Sequence, residues 1–324
     1  MSIRVAVAGV GVMGAHHAKV IAGAVSGAEL VAVADQDRAR AEAAAGGQAR
    51  VHTDATALVA AGDVDALIVA SPDATHHPLV MAAIAAGKPV LCEKPLAVTG
   101  AQCHDIVAAE RASGRQLVHV GFMRRFDPAY RALREAMSGP LGAPQLLLCQ
   151  HRNQTAPDWF TSDMVVTNSF VHEIDVCRWL LGGASYVAAT VTPVGTGGDH
   201  LLIVLEADTG AVVSTEVAMN ARYGYHVHAE AVCADGTAAM AESALTVTRH
   251  DGACRAAYPA NWIPRFADAY RIQSQAWVDA IRAGGVDGEA ASAWDGLLAT
   301  LIAEQVVAAL KSGRRQEIEL PARR

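Results

Sequence analysis

The sequence predicts an α/β chain in two domains: a doubly wound parallel sheet over residues 1–122, then an α/β domain over residues 123–324 built on an open, largely antiparallel sheet. Three observations point there. The chain opens on an apolar run that turns on Gly9-Val10-Gly11-Val12-Met13-Gly14 into a helix-forming segment. Apolar runs and helix-like segments then alternate as far as Gly121, as parallel strands joined by crossover helices require. Beyond Phe122 short strand-like segments dominate, and several are separated by hairpin turns.

Residues 3–8, broken only by Arg4, suit a strand buried on both faces. Gly9 permits the tight turn, Gly11 lets backbone approach a pyrophosphate, and Gly14 lets the helix over residues 15–24 pack closely on the sheet. The anion would rest on the helix N-terminus at Val12 and Met13. Residues 29–34 form the next strand and end in Asp35, about 20 residues past the glycine turn, where a carboxylate meets the adenosine ribose hydroxyls and repels a 2'-phosphate. NAD is therefore favoured over NADP, and Arg38 and Arg40 are read as solvated residues of the following helix.

The alternation continues with a helix over 37–45, a strand over 65–70, a helix over 77–86, a strand over 89–92, a helix over 99–112 capped by Thr99, and a strand over 116–121. Ligands of open α/β sheets bind beyond the carboxyl ends of the strands, so Ser71 and Glu93-Lys94-Pro95 border the cofactor cleft. In the second half, strands are expected over 146–151, 186–194, 201–206, 211–217 and 226–233. Helices are expected over 168–181, 266–283 and 291–311.

With 324 residues, two domains are the natural expectation. A net charge of −7 without a basic patch argues against a nucleic-acid or anionic-membrane partner. The cysteines are scattered, with no C-x-x-C pair, and are read as reduced core thiols. His172-Glu173 begins like a zinc-protease motif, but Val176 stands where the second histidine would be, and no metal is expected. The first strand starts at about residue 3, and no run of about 18 apolar residues occurs, so a soluble cytoplasmic protein is expected.

With the glycine turn, Asp35 and Glu93-Lys94-Pro95 together, the chain resembles the glucose-fructose oxidoreductase/inositol dehydrogenase (Gfo/Idh/MocA) family over essentially its whole length. Residues 121–127 (GFMRRFD), 151–153 (HRN), 171–176 (VHEIDV), 223–225 (YGY) and 293–296 (AWDG) are similar to its inositol dehydrogenase branch. The resemblance implies a Rossmann domain followed by an α/β domain whose open sheet carries substrate on one face and often an oligomer interface on the other. It implies NAD-dependent oxidation of a secondary hydroxyl of myo-inositol or a related cyclitol to the ketone, in a homotetramer. A sugar or aminocyclitol dehydrogenase of a biosynthetic pathway, using NAD or NADP, is the alternative. A non-catalytic dinucleotide-binding regulator is a third reading, against which the retention of Lys94 and His172 stands.

Oxidising a secondary alcohol requires a hydride acceptor and a base for the hydroxyl proton. His172 titrates in the right range to be that base. Lys94 would donate to the reacting oxygen and stabilise developing alkoxide charge. Asn168, one helical turn before His172, stands where the family pattern has an aspartate, and an amide orients the histidine without adding charge. Asp175, at i+3 from His172, could bond substrate or histidine. Met123, Asn153, Tyr225 and Tyr270 match family positions that line the polyol pocket.

Overall fold

The computed structural model describes residues 2–241, 247–285 and 287–322. By packing, the chain divides into two compact units, residues 1–123 with 268–300, and residues 124–267 with 301–324. The order-based division at residue 122 differs from this, because residues 268–300 pack with the N-terminal unit. Trp277 and Val278 explain it: both join the apolar core around the first strands.

The first unit holds β1 (Ile3–Ala8), β2 (Ala28–Ala34), β3 (Arg50–His52), β4 (Ala66–Val69), β5 (Val90–Cys92) and β6 (Val118–Val120). Their spatial order is β6-β5-β4-β1-β2-β3, with the short strand Ala291–Ser292 added antiparallel beside β6. All other pairs are parallel. This is the expected doubly wound Rossmann sheet, and its order reverses between β1 and β4. Cα partners there run Ala34, Ala8, Val69, Cys92, Val120 across the sheet. The strands thus end level, and Gly9, Asp35, Ala70, Glu93 and Gly121 leave along one edge. The pairing of β3 and the Thr56–Ala60 helix were not anticipated, being too short to show a periodicity.

The second unit carries β7 (Pro144–Arg152), β8 (Tyr186–Pro193), β9 (His200–Ala207), β10 (Val212–Ala218), β11 (His226–Cys233) and β12 (Gly236–Ala239) in the order β12-β11-β7-β10-β9-β8, closed by Gln316–Glu317. Only β7 and β10 run parallel, so the sheet is largely antiparallel, as expected. Alternation sets its faces. Leu147, Cys149 and His151 point inward, and Cys149 Sγ lies 3.6 Å from Cys177 Sγ on the Val171–Leu180 helix. Leu148 and Leu202 remain exposed on the other face. A separate hairpin, β13 (Val247–His250) with β14 (Ala253–Ala256), carries Cys254, the one exposed cysteine, where a core thiol was expected.

The Ala293–Ser312 helix is long and apolar enough to cross a membrane by length and composition, yet 56% of its most apolar window is buried within the protein. Gly296 fits against Leu96 and Val120, and Thr300 meets Cys103 at 3.4 Å, so its first half packs as a core helix.

Candidate active site

The glycine turn is shaped by contacts that exclude side chains. A Cβ on Gly9 (φ +81°) would lie 2.3 Å from Ser71 Cα, and one on Gly14 would lie 1.8 Å from the Gly9 carbonyl oxygen. Gly11 differs: a Cβ there would meet nothing within 4 Å. Its glycine therefore answers to no protein neighbour, and the open space beside it suits a pyrophosphate approaching backbone. Gly11 is also the N-cap of the Val12–Ala24 helix, brings no side-chain cap, and is followed by no acidic residue in the first turn, which leaves that end electropositive.

Asp35 is fixed beside this turn. Val10 N–H donates to its Oδ2 at 2.9 Å and Asp37 N–H to its Oδ1 at 2.9 Å. Each carboxylate oxygen has a second lone pair, so ribose hydroxyls still have acceptors. Arg40 stands 3.8 Å from Asp35, and Arg38 is spent on Glu42 at 2.8 Å. Residues Gly9 to Gly14 and Asp35 lie together at the carboxyl ends of β1 and β2, with Gly9 and Gly14 buried and Val12 exposed, and the groups present fit a dinucleotide with an unmodified 2'-hydroxyl.

Ser71 follows β4, where its hydroxyl shares a 2.6 Å hydrogen bond with Thr75 Oγ1. Glu93 and Lys94 follow β5. Glu93 is buried, meets His17 Nε2 at 2.7 Å and accepts the Lys94 N–H at 3.2 Å. Burial works to raise the Glu93 carboxyl, but the His17 hydrogen bond and the charges of His17 and Lys94 outweigh it and hold the group below its ordinary value. Lys94 itself is half-buried. Tyr270 sets its ring edge-on to His16 at 5.2 Å and His17 at 5.8 Å, and its hydroxyl lies 4.0 Å from Met13 Sδ. Met123 is 1% exposed.

In the second unit, nine of the ten residues of the Val171–Leu180 helix are buried, and His172 is the half-buried exception. A histidine that only filled the core would lie with its neighbours. The regular helix expected over 168–181 is instead a π-helical segment, Val165–Phe170, running into an α-helix. Asn168 sits in that wider turn, where bonds run from i to i+5. Its Oδ1 accepts from Thr167 Oγ1 at 3.0 Å.

Asp175 is paired with an arginine. Both its oxygens take the Arg125 guanidinium, Nε at 2.9 Å and Nη2 at 2.5 Å, in a pair that is almost wholly buried. Such a bidentate fork anchors the helix.

Asn153 and Tyr225 come together around His151. Asn153 Nδ2 lies 3.4 Å from His151 Nε2 and 3.3 Å from Met219 Sδ, while the Tyr225 hydroxyl lies 3.5 Å from His151 Nε2 and 3.4 Å from Arg124. Behind them Arg124, fully buried, pairs with Glu173, whose other oxygen meets His151 Nδ1 at 3.0 Å. Burial raises the Glu173 carboxyl, but Arg124 and then His151 overcome it and the group stays below its ordinary value. Burial pushes the Tyr225 phenol up. In the sequence, Arg124 and Arg125 stand out only as part of the 121–127 segment, and Glu173 only beside His172 in the zinc-protease-like pair. The available signal was charge set among apolar neighbours, Met123-Arg124-Arg125-Phe126 and Val171 to Trp179.

Among the described residues no group of three or more metal-ligating side chains converges. The model for the oxidoreductase family with the NAD-binding Rossmann fold, GFO_IDH_MocA, matches residues 3–122, and the model for the GFO/IDH/MocA C-terminal domain matches residues 130–239. The chain is 47% identical to inositol 2-dehydrogenase 1 of Saccharopolyspora erythraea, covering 99% of this chain and 97% of that protein. It is 44% identical to inositol 2-dehydrogenase 2 of Paenarthrobacter aurescens, covering 96% and 97%. The crystal structure of myo-inositol dehydrogenase from Lactobacillus casei in complex with NAD(H) and myo-inositol superposes with a TM-score of 0.95 at 31% identity, covering 100% of this chain and 99% of that one.

Proposed function

The chain belongs to the Gfo/Idh/MocA family and is an NAD-dependent oxidoreductase acting on CH–OH groups, and on that premise we propose that it oxidises a secondary hydroxyl of myo-inositol or a closely related cyclitol to the ketone. The observation that carries the proposal is the state of His172, the half-buried residue of an otherwise buried helix. The similarity to inositol 2-dehydrogenases along nearly the whole chain supports the substrate class.

NAD, when bound, supplies the hydride acceptor. In this reading Gly9 to Gly14 hold the pyrophosphate, Asp35 accepts from the ribose hydroxyls, and Ser71 and Glu93 border the cofactor. His172 takes the hydroxyl proton as the carbon–hydrogen bond gives up its hydride. Lys94 donates to the reacting oxygen and offsets its developing charge. Asn153, Tyr225, Tyr270 and Met123 select the polyol, each hydrogen-bonding side chain losing a partner when a hydroxyl is missing. Asp175 acts through Arg125, holding the helix that carries His172. Asn168 favours a second reading, a sugar or aminocyclitol dehydrogenase, because the family pattern has a carboxylate at that position.

Reduced-nicotinamide absorbance with NAD against myo-inositol, scyllo-inositol, glucose and an aminocyclitol decides between them. Turnover of myo-inositol is expected, with Lys94→Ala and His172→Ala each lowering kcat by about 10²- to 10⁴-fold. Turnover of the aminocyclitol alone would move the protein to the second reading. Tight NAD binding with no turnover of any polyol would overturn both.

A further inference from the structure

The backbone is held by a histidine on each side of Lys94. On the N-terminal side, His17 grips the Glu93 carboxylate at 2.7 Å, and that carboxylate also accepts the Lys94 N–H at 3.2 Å. On the C-terminal side, His76 Nδ1 lies 2.7 Å from the Pro95 carbonyl oxygen. The other nitrogen of the same ring, Nε2, lies 2.8 Å from the Ser71 carbonyl oxygen. His76 opens the His76–Ala85 helix and is 1% exposed, so bulk water does not compete for either oxygen.

The two histidines are not equivalent. His17 meets one carboxylate through Nε2, and its Nδ1 has no hydrogen-bond partner among the described residues. His76 places one ring nitrogen against each of two carbonyl oxygens, which only accept. A glutamine has donors on a single amide nitrogen and can serve one of these carbonyls. Loops are the mobile parts of a fold, and here a buried ring spans from the loop after β4 to the loop after β5.

We infer that His76 is a positioning residue for hydride transfer, tying the Ser71 loop to the Lys94 loop with one ring nitrogen against the Ser71 carbonyl and the other against the Pro95 carbonyl. The inference rests on the role proposed above for Lys94. Groups held to a fraction of an ångström convert binding into rate, and a misplacement of about 1 Å costs up to about 100-fold. The tie acts on kcat more than on binding, because the polyol's other contacts do not pass through His76.

The test compares His76→Leu, which removes both ring nitrogens at similar size, with His76→Gln, which keeps a donor for one carbonyl. In the full-length protein with NAD and the polyol it turns over best, His76→Leu should lower kcat by about 10- to 100-fold, and His76→Gln should fall between it and wild type. Polyol KM should change far less, the pattern of an interaction felt at the transition state. With polyol deuterated at the oxidised carbon, the isotope effect on kcat should rise as hydride transfer becomes limiting. A residue that only packs the helix would lower Tm and leave kcat and the isotope effect at wild-type values, and that result overturns the inference. If His76→Leu does not fold, wild-type kcat and isotope effect in His76→Gln overturn it equally. Lys94→Ala is measured alongside: full activity there removes the premise, whereas an inactive Lys94→Ala beside wild-type-like His76 variants removes the inference alone.

Discussion

Replacing Arg124 by methionine would test how the interior behind His172 is held together. Arg124 and Glu173 are each 1% exposed at the side chain, and removing one member of such a pair costs about 3–5 kcal/mol, because the charge left behind is buried without compensation. The lower end of that range applies here, since His151 Nδ1 stays 3.0 Å from the other Glu173 oxygen and retains part of the compensation. A loss of about 3 kcal/mol corresponds to a fall in Tm of roughly 6–12 °C. The pH dependence carries the sign. In the wild type, the Glu173 carboxyl is held below its ordinary value of 4.5, so it contributes stability that is complete above that value and lost as pH falls through the lowered one. Without Arg124 burial dominates, the carboxyl rises above its unfolded value, and the deficit against wild type should shrink between about pH 7 and about pH 5. Urea unfolding followed by circular dichroism at both pH values measures this, and Arg124→Met/Glu173→Gln should recover at least half of the loss. A single variant within about 1 kcal/mol of wild type, a deficit that grows on acidification, or a double variant no more stable than the single would refute the reasoning.

Gly11→Ala and Gly14→Ala should separate cofactor fit from packing. The first places its methyl in open space and should keep Tm while weakening NAD binding in calorimetry. The second drives a methyl to 1.8 Å from the Gly9 carbonyl oxygen, which should cost about 1–3 kcal/mol and weaken NAD as well; unchanged NAD affinity in Gly11→Ala would remove the pyrophosphate from that turn. Asp35→Ser keeps a short acceptor for the Val10 N–H but discards the charge, so the preference for NAD over NADP, read as a ratio of kcat/KM, should narrow. Asn168→Asp should keep or raise alcohol oxidation by adding a carboxylate in the turn before His172, and a large loss would instead show that the substrate needs the amide.

The parts of this molecule that were legible in its sequence are those whose cause is local. A glycine turn, the apolar run before it and the acid about 20 residues on are read from one short stretch, and the structure sets Gly9 and Asp35 side by side through the Val10 N–H. The placement of residues 268–300 was not legible, because periodicity shows which face of a helix is apolar and not which core Trp277 will enter. The π-helical segment around Asn168 was hidden for a related reason: Val165 to Phe170 carry no residue that distinguishes an i+5 turn from an i+4 turn. The Arg125 partner of Asp175 was not legible either, because it lies 50 residues earlier in the chain.

That pairing nevertheless follows from a rule the sequence could have supplied. A buried charge is retained only when paired, and in a chain with 18% charged residues two arginines between Met123 and Phe126 and two acids between Val171 and Val176 are four charges with apolar residues around them. Each pair needs the other. Arg124 takes Glu173 and Arg125 takes Asp175, so adjacent residues of one turn grip alternate residues of one helix. His172 lies immediately before the first of those acids, and the acids anchor the backbone from which it projects. The interior charge is therefore part of how a half-buried histidine is held in place, which is why the stability of Arg124→Met and the activity attributed to His172 should be measured on the same protein.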